Sequence, residues 1–256
     1  MKVNGKDVLE TYGLKQWNVE MAYGEIGNES SWEAGCPVPV LLESNFGLKK
    51  IKVSVLAKGE NRDEIWEKTG KLLAEMAKPA VLELDGFSHH FKTVLTNAQQ
   101  VESSMNRFHK ATLELVGYEY GEHKVATMRL GEKMKLENNG TLYSPVSITV
   151  QQQRQYEPKN TVYVSYEDTG ITGTSPSEII GKFKFEGTTE LLSFDAATGK
   201  VEQKLTTDEE THAGGLDKME LLSIPRVPPG GMEVSSWQEG GSAATTITME
   251  YDEMYI

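Results

Sequence analysis

The sequence has one cysteine, Cys36, in 256 residues, which excludes an intramolecular disulfide framework and fits folding in a reducing cytoplasm. Cys36 stands beside Pro37 and reads as a small apolar filler, because no histidine lies near it in sequence to activate a thiolate. Long apolar runs are missing as well. No stretch approaches the roughly 18–20 residues a bilayer crossing needs. The opening MKVNGKDVLETYG lacks the apolar core of a secretory leader, so neither leader nor membrane span is expected. Positive charge is scarce. The formal charge is −12, with 14 Lys+Arg against 17 Asp+Glu in residues 1–121 and 12 against 21 in residues 122–256. Such a surface repels phosphate backbones, and no basic cluster interrupts it, so nucleic-acid binding is not expected.

Catalytic and metal-binding patterns are also lacking. His89 and His90 are adjacent in an expected strand, so their side chains point to opposite faces and cannot share a metal. His109, His123 and His212 stand apart from ligand-spaced partners, and Asp208-Glu209-Glu210-Thr211-His212 reads as a charged surface loop without the fixed offsets of a calcium loop. There is no Gly-x-Ser-x-Gly elbow, no P-loop and no dinucleotide glycine pattern; Gly170-Ile171-Thr172-Gly173 leads into no helix. The expectation is a non-enzyme with no catalytic residue, no metal and no cofactor.

What is present is β-structure with one clear helix. Hydrophobic residues make up 38%, enough for a packed core, and the length suits one large β domain or two smaller ones. From Leu48 to Leu95 the pattern is strand, helix, strand, turn, strand. Ile51, Val53 and Val55 alternate with Lys50, Lys52 and Ser54, as in a half-buried strand. Asn61 is placed to cap a helix, with Glu64 completing a capping box; Ile65, Thr69, Leu72, Leu73 and Met76 then share one helical face, and Pro79 ends it. Ala80–Leu84, the Asp85-Gly86 turn and Phe87–Leu95 form a hairpin.

Outside that scaffold, Lys2–Val8 reads as a small hairpin over Asn4-Gly5, and Leu14–Ala22 as a strand with Trp17, Val19 and Met21 on one face. Tyr23–Pro37 reads as an irregular loop carrying Trp32, long enough to be committed to a partner. Arg107–Tyr120 is a long strand, with Phe108, Ala111, Leu113 and Leu115 inward. The pattern then breaks at GYEYGEHK, which marks a boundary between residues 1–121 and 122–256. The second half shows eight or nine short strands spaced by turn chemistry and no convincing helix, which points to a jelly-roll type β-sandwich. Tyr156, Tyr163, Tyr166 and Trp237 are candidates for a surface that stacks on a saccharide or receives a partner, although strands are rich in aromatics for packing reasons too.

The order of these elements resembles a known family. The NGKD hairpin, the strand ending SVLAKG, the single capped helix NRDEIWEKTGKLLAEMAKP and the LELDG turn look like the N-terminal domain of siphophage distal tail (Dit) proteins. ELLSFDAATGKV, LLSIPRVPPGGMEVSSW and the closing TTITMEYDEMYI resemble strands and turns of that family's C-terminal domain. The resemblance departs from the usual pattern at Tyr23–Pro37 and Thr206–Asp217. It implies a mainly β protein of two domains: a β-sandwich-like N-terminal domain with one α-helix, and a galectin-like or carbohydrate-module-like sandwich. It further implies a hexameric baseplate hub in the virion, synthesised in the bacterial cytoplasm. Its expected partners are the tail tube protein, a tail-associated hub or lysin protein, and receptor-binding or baseplate proteins.

A cyclic ring needs two different patches on each subunit, for which edge strands are natural material. The expected interface candidates are Trp32 and the strand bearing Lys49, Lys50 and Lys52. A carbohydrate-binding adhesion module acting through Tyr163 and Trp237 is the competing expectation.

Overall fold

The computed structural model describes residues 1–24, 26–31, 40–102, 107–153, 159–167, 178–222, 224–241 and 243–256. It divides into two units, residues 1–121 with 255–256, and residues 122–254.

In the first unit, β1 (Lys2–Val3) and β2 (Lys6–Asp7) pair as a hairpin over Asn4 (φ 50°) and Gly5 (φ 77°), the left-handed pair that an Asn-Gly turn supplies. A short helix, α1 (Val8–Tyr12), follows. Sequence periodicity cannot reveal five residues; the ends define it instead. Asp7 accepts from the Leu9 and Glu10 N–H groups, and Gly13 closes the helix at φ 68°. Among its described residues the first unit therefore has two helices rather than one.

The chain continues through β3 (Leu14–Ala22), β4 (Ile26–Ser31), β5 (Val40–Phe46), β6 (Lys49–Lys58), α2 (Arg62–Glu75), β7 (Ala80–Glu83), β8 (His90–Glu102) and β9 (Phe108–Arg129). Seven strands form an antiparallel sheet in the order β3-β6-β9-β8-β7-β1-β2. The expected face of α2 is the buried one: Ile65, Thr69, Leu72 and Met76 share a core with Ile51, Val53 and Val55 of β6 and Leu113 and Leu115 of β9. Asn61 accepts from the Glu64 N–H at 2.9 Å, while the Glu64 carboxylate reaches the Glu60 N–H at 2.7 Å, one residue before the cap.

Three sequence expectations change here. Trp17 does not share a face with Val19 and Met21. A β-bulge between Gln16 and Asn18 leaves it as the extra residue, 67% exposed, while Val19 and Met21 pack on the core. The loop expected over Tyr23–Pro37 is in part a strand: β4 pairs with β5, from Ile26 opposite Phe46 to Ser31 opposite Val40. Residues 32–39, with Trp32 and Cys36, lie outside the described residues. Nor does the strand pattern stop near Glu119. The chain passes from one unit to the next inside β9, at Gly121–Glu122.

The second unit contains the rest of β9 together with β10 (Lys133–Leu136), β11 (Ser144–Pro145), β12 (Ser147–Gln153), β13 (Asn160–Glu167), β14 (Glu178–Phe185), β15 (Thr189–Asp195) and β16 (Lys200–Leu205). After these come β17 (His212–Ala213), a 3-10 turn at Leu216–Lys218, β18 (Met219–Leu221), β19 (Arg226–Val227), β20 (Met232–Glu239) and β21 (Ala244–Tyr255). One sheet runs β9-β21-β12-β15-β16-β17, and the other runs β10-β20-β13-β14-β18. Their alternating inward residues meet in one core, with Ile148, Val150, Leu192 and Ile247 from the first and Val162, Val164, Phe183 and Val234 from the second. This is a β-sandwich. Within the acidic 208–215 segment, His212 and Ala213 add a short strand to β16 instead of leaving it all loop.

Candidate functional site

Three surfaces bring together residues singled out by the sequence. The first is the Lys49–Lys52 segment of β6. This strand is not an edge, because it pairs with β3 on one side and β9 on the other. Lys49 is buried and forms an ion pair with Glu119; Glu119 in turn meets His89 Nδ1 at 2.5 Å, and the His89 ring stacks on Tyr255 at 4.3 Å. Burial pushes the Glu119 carboxyl up, but the Lys49 and His89 hydrogen bonds outweigh it and hold the group below its ordinary range. Lys49 is thus an internal ion-pair residue and presents no charge at the surface.

Lys50 and Lys52 point to the other, exposed face. Lys52 lies opposite Glu20 of β3 and Glu114 of β9, with its ammonium 3.7 Å from the Glu114 carboxylate. These residues, with Met21, Thr96 and Val116, border a shallow groove of about 500 Å³. Both signs of charge line it, so it has no preference for a polyion.

The second surface is the edge of β3, which pairs only with β6 among the described residues and carries the exposed Trp17. The alternation of apolar residues in this strand conceals that exposure, since a bulge leaves no sequence signature.

The third is the outer face of the five-stranded sheet. The strand register places Trp237, Tyr163, Lys182 and Glu220 in one row across β20, β13, β14 and β18. Tyr163 and Trp237 stack with centroids 5.0 Å apart and planes 2° from parallel, the offset arrangement that aromatic quadrupoles favour. The Tyr163 hydroxyl donates to Glu239 at 2.9 Å, and that bond holds its pKa above the usual value. Lys182 pairs with Glu220 at 2.9 Å. Tyr166 does not join the row: it sits opposite Val234 and packs against the inner core. Tyr156 lies outside the described residues. Two of the four aromatics therefore form a unit, and each ring covers one face of the other.

The histidines are held by structural partners. His109 is buried against Gln100 (2.9 Å), His123 meets Asp252 (2.8 Å), and His90 stacks on Tyr120. Among the described residues no group of three or more His, Cys, Asp or Glu is arranged to hold a metal ion.

No protein-family model matches the chain, and no curated protein matches it. Solved structures do. The crystal structure of the SPP1 Dit protein (gp 19.1), described as a paradigm of the hub adsorption apparatus in phages infecting Gram-positive bacteria, superposes with a TM-score of 0.62 at 11% identity. The match covers 98% of this chain and 97% of that one. A chain of the phage p2 baseplate in its activated conformation with strontium gives a TM-score of 0.48 at 10% identity, over 89% and 90% of the two chains. The protein has the fold of a Dit hub protein along its whole length.

Proposed function

We propose that this protein is a structural component of a phage tail tip, a distal tail hub that joins the tail tube to the host-adsorption apparatus. The observation that supports this reading most is the whole-chain fold match: both units align in order with the SPP1 Dit protein, with almost nothing left over in either chain. The features of the chain agree with a role in assembly. Its titratable clusters are tied into ion pairs, and its prominent exposed features are an edge strand with Trp17 and an aromatic row on a sheet face.

In this reading the first unit builds a homohexameric ring. Such a ring joins two different patches on each subunit. The edge of β3 beyond Gln16 is one, because among the described residues that stretch pairs only with β6, so its outer backbone groups can extend a neighbour's sheet, and Trp17 adds apolar contact. The face bearing Lys50 and Lys52 adjoins that edge and belongs to the same contact. The second unit docks baseplate or receptor-binding proteins, and the protein acts within the virion without catalysing a reaction.

Native mass spectrometry and negative-stain imaging across a concentration series test the proposal. Closed six-membered rings are the expected result. A chain that stays monomeric at every concentration, and also when mixed with tail-tube and baseplate proteins, would overturn it.

A further inference from the structure

The core of the second unit changes character at one end. Along β12 the inward positions run Ile148, Val150, Gln152; along β21, Met249, Ile247, Thr245; along β13, Val164, Val162, Asn160; along β20, Val234, Ser236, Gln238. Antiparallel pairing brings all four polar ends to the same end of the sandwich. Gln152, Asn160, Ser236 and Thr245 are all buried there. Gln152 donates to the Thr245 hydroxyl at 3.0 Å, Thr245 lies 3.5 Å from the Gln238 carbonyl, and Gln238 donates to the Gly241 carbonyl at 3.2 Å.

The layer is incompletely satisfied. Among the described residues, both amide atoms of Asn160, the carbonyl oxygen of Gln152 and the hydroxyl of Ser236 have no hydrogen-bond partner. A buried polar atom left unpaired costs about 1–3 kcal/mol, so four at one end of one core call for an occupant. Gly241 (φ 55°) lies directly over Asn160; a Cβ there would sit 2.9 Å from Asn160 Nδ2. Over the same end opens a groove of about 690 Å³, bordered by Arg129, Gln151, Gln153, Gln238, Thr245 and Thr246.

We propose that this groove, backed by the Gln152–Asn160–Ser236 layer, is a binding site for a short neutral saccharide. Charge narrows the ligand first. Among the described residues no carboxylate borders the groove, so they do not attract a cation. A single arginine among the described lining residues, against the net acidic charge of residues 122–256, does not suit a polyanion. Amides and hydroxyls offer donors and acceptors together, which matches a ligand whose groups are both. The groove has the volume of a small-ligand site. Sugar hydroxyls bind Gln153, Thr246 and Arg129 at the rim, while Gln238 and Thr245 line the groove further in, where Thr245 accepts from Gln152. This site is separate from the Tyr163–Trp237 stack and independent of ring formation.

The test uses the full chain, with a panel of neutral mono- and disaccharides followed by NMR saturation transfer and calorimetry. Binding at millimolar affinity or better is expected. Gln153→Ala combined with Thr246→Ala, both exposed positions, should weaken it by about tenfold or more while leaving the oligomeric state unchanged. Trp237→Ala should leave it intact. Loss of binding in Trp237→Ala with retention in the groove variant would move the site to the aromatic stack and overturn the proposal. Saturation at millimolar concentration by none of the sugars, with only water on Asn160 and Gln152 in a high-resolution structure, would overturn it as well, whether or not rings form.

Discussion

The side chain of Gln16 and the backbone of Asp85 exchange two hydrogen bonds, Nε2 to the Asp85 carbonyl at 3.2 Å and the Asp85 N–H to Oε1 at 3.0 Å. Gln16 belongs to β3 and Asp85 to the turn after β7, and β6, β9 and β8 lie between those strands in the sheet order. In a flat sheet they would stand roughly 19–20 Å apart. The sheet of the first unit therefore curls until its two sides meet, and the glutamine amide replaces a strand-to-strand pair at the seam. Gln16→Ala removes both bonds and leaves the peptide of Asp85 partly unpaired. A loss of about 1–2 kcal/mol in the stability of the first unit is expected from chemical denaturation; an unchanged midpoint would show that the curl is held by the core alone.

Glu119 is the acid-sensitive point of the same unit. Its folded pKa lies below the unfolded value of 4.5, so its contribution is present above that pH and is lost as the pH falls through the folded pKa. Glu119→Gln leaves Lys49 buried without its counter-charge and should cost about 3 kcal/mol at neutral pH. The variant should also lose part of the destabilisation seen on acidification. Thermal melts of both proteins between pH 7 and pH 3 check both statements.

Asn61→Ala removes the N-cap of α2 and leaves the Glu64 N–H without its acceptor. A loss of about 1 kcal/mol is expected, readable as a lower melting temperature with unchanged circular dichroism at low temperature. Asn61→Ser should recover most of it.

Gly231 closes the Pro228–Gly231 turn at φ 91°, and a Cβ on it would stand 2.0 Å from the Leu136 carbonyl oxygen. No rotamer relieves a backbone clash of that depth. Gly231→Ala should destabilise the second unit by more than about 2 kcal/mol. Hydrogen exchange should show the loss in β10 and β20, whose pairing Leu136 and Met232 anchor, and not in the first unit.

Reversal of Lys50 and Lys52 to glutamate tests the proposed ring contact. Lys52→Glu sets like charges opposite Glu20 and Glu114 at a cost of up to about 1 kcal/mol, which the fold can absorb. The ring should weaken while the monomer keeps its circular dichroism spectrum. A hexamer that survives the double reversal would remove this face from the interface.

Local patterns carried much of the fold. Helix α2, the Asn4-Gly5 hairpin and the short strands of the second unit are all specified within a few residues, by a cap, a turn dipeptide or an alternation. Segments with weak local patterns escaped. Helix α1 is shorter than one reading window, and β4, with the sequence Ile-Gly-Asn-Glu-Ser-Ser, has no apolar alternation and is a strand only because β5 lies against it. The candidate surfaces were less legible. The run Gln151-Gln152-Gln153 ends an apolar strand, and it marked the polar end of the sandwich only once three other strands were seen to turn polar beside it.

The sequence alone determined which residues could face a core, because period 3.6 and period 2 are properties of the backbone and need no partner. Tertiary structure decided the rest. A bulge turned Trp17 outward, the curl of the sheet joined Gln16 to Asp85, and the pairing of β6 on both sides placed Lys49 inside an ion pair. Register set Tyr163 against Trp237 and sent Tyr166 to the other face. Each of these depends on contacts between strands far apart in the chain, and a single strand's side-chain pattern carries no record of which neighbour it will meet.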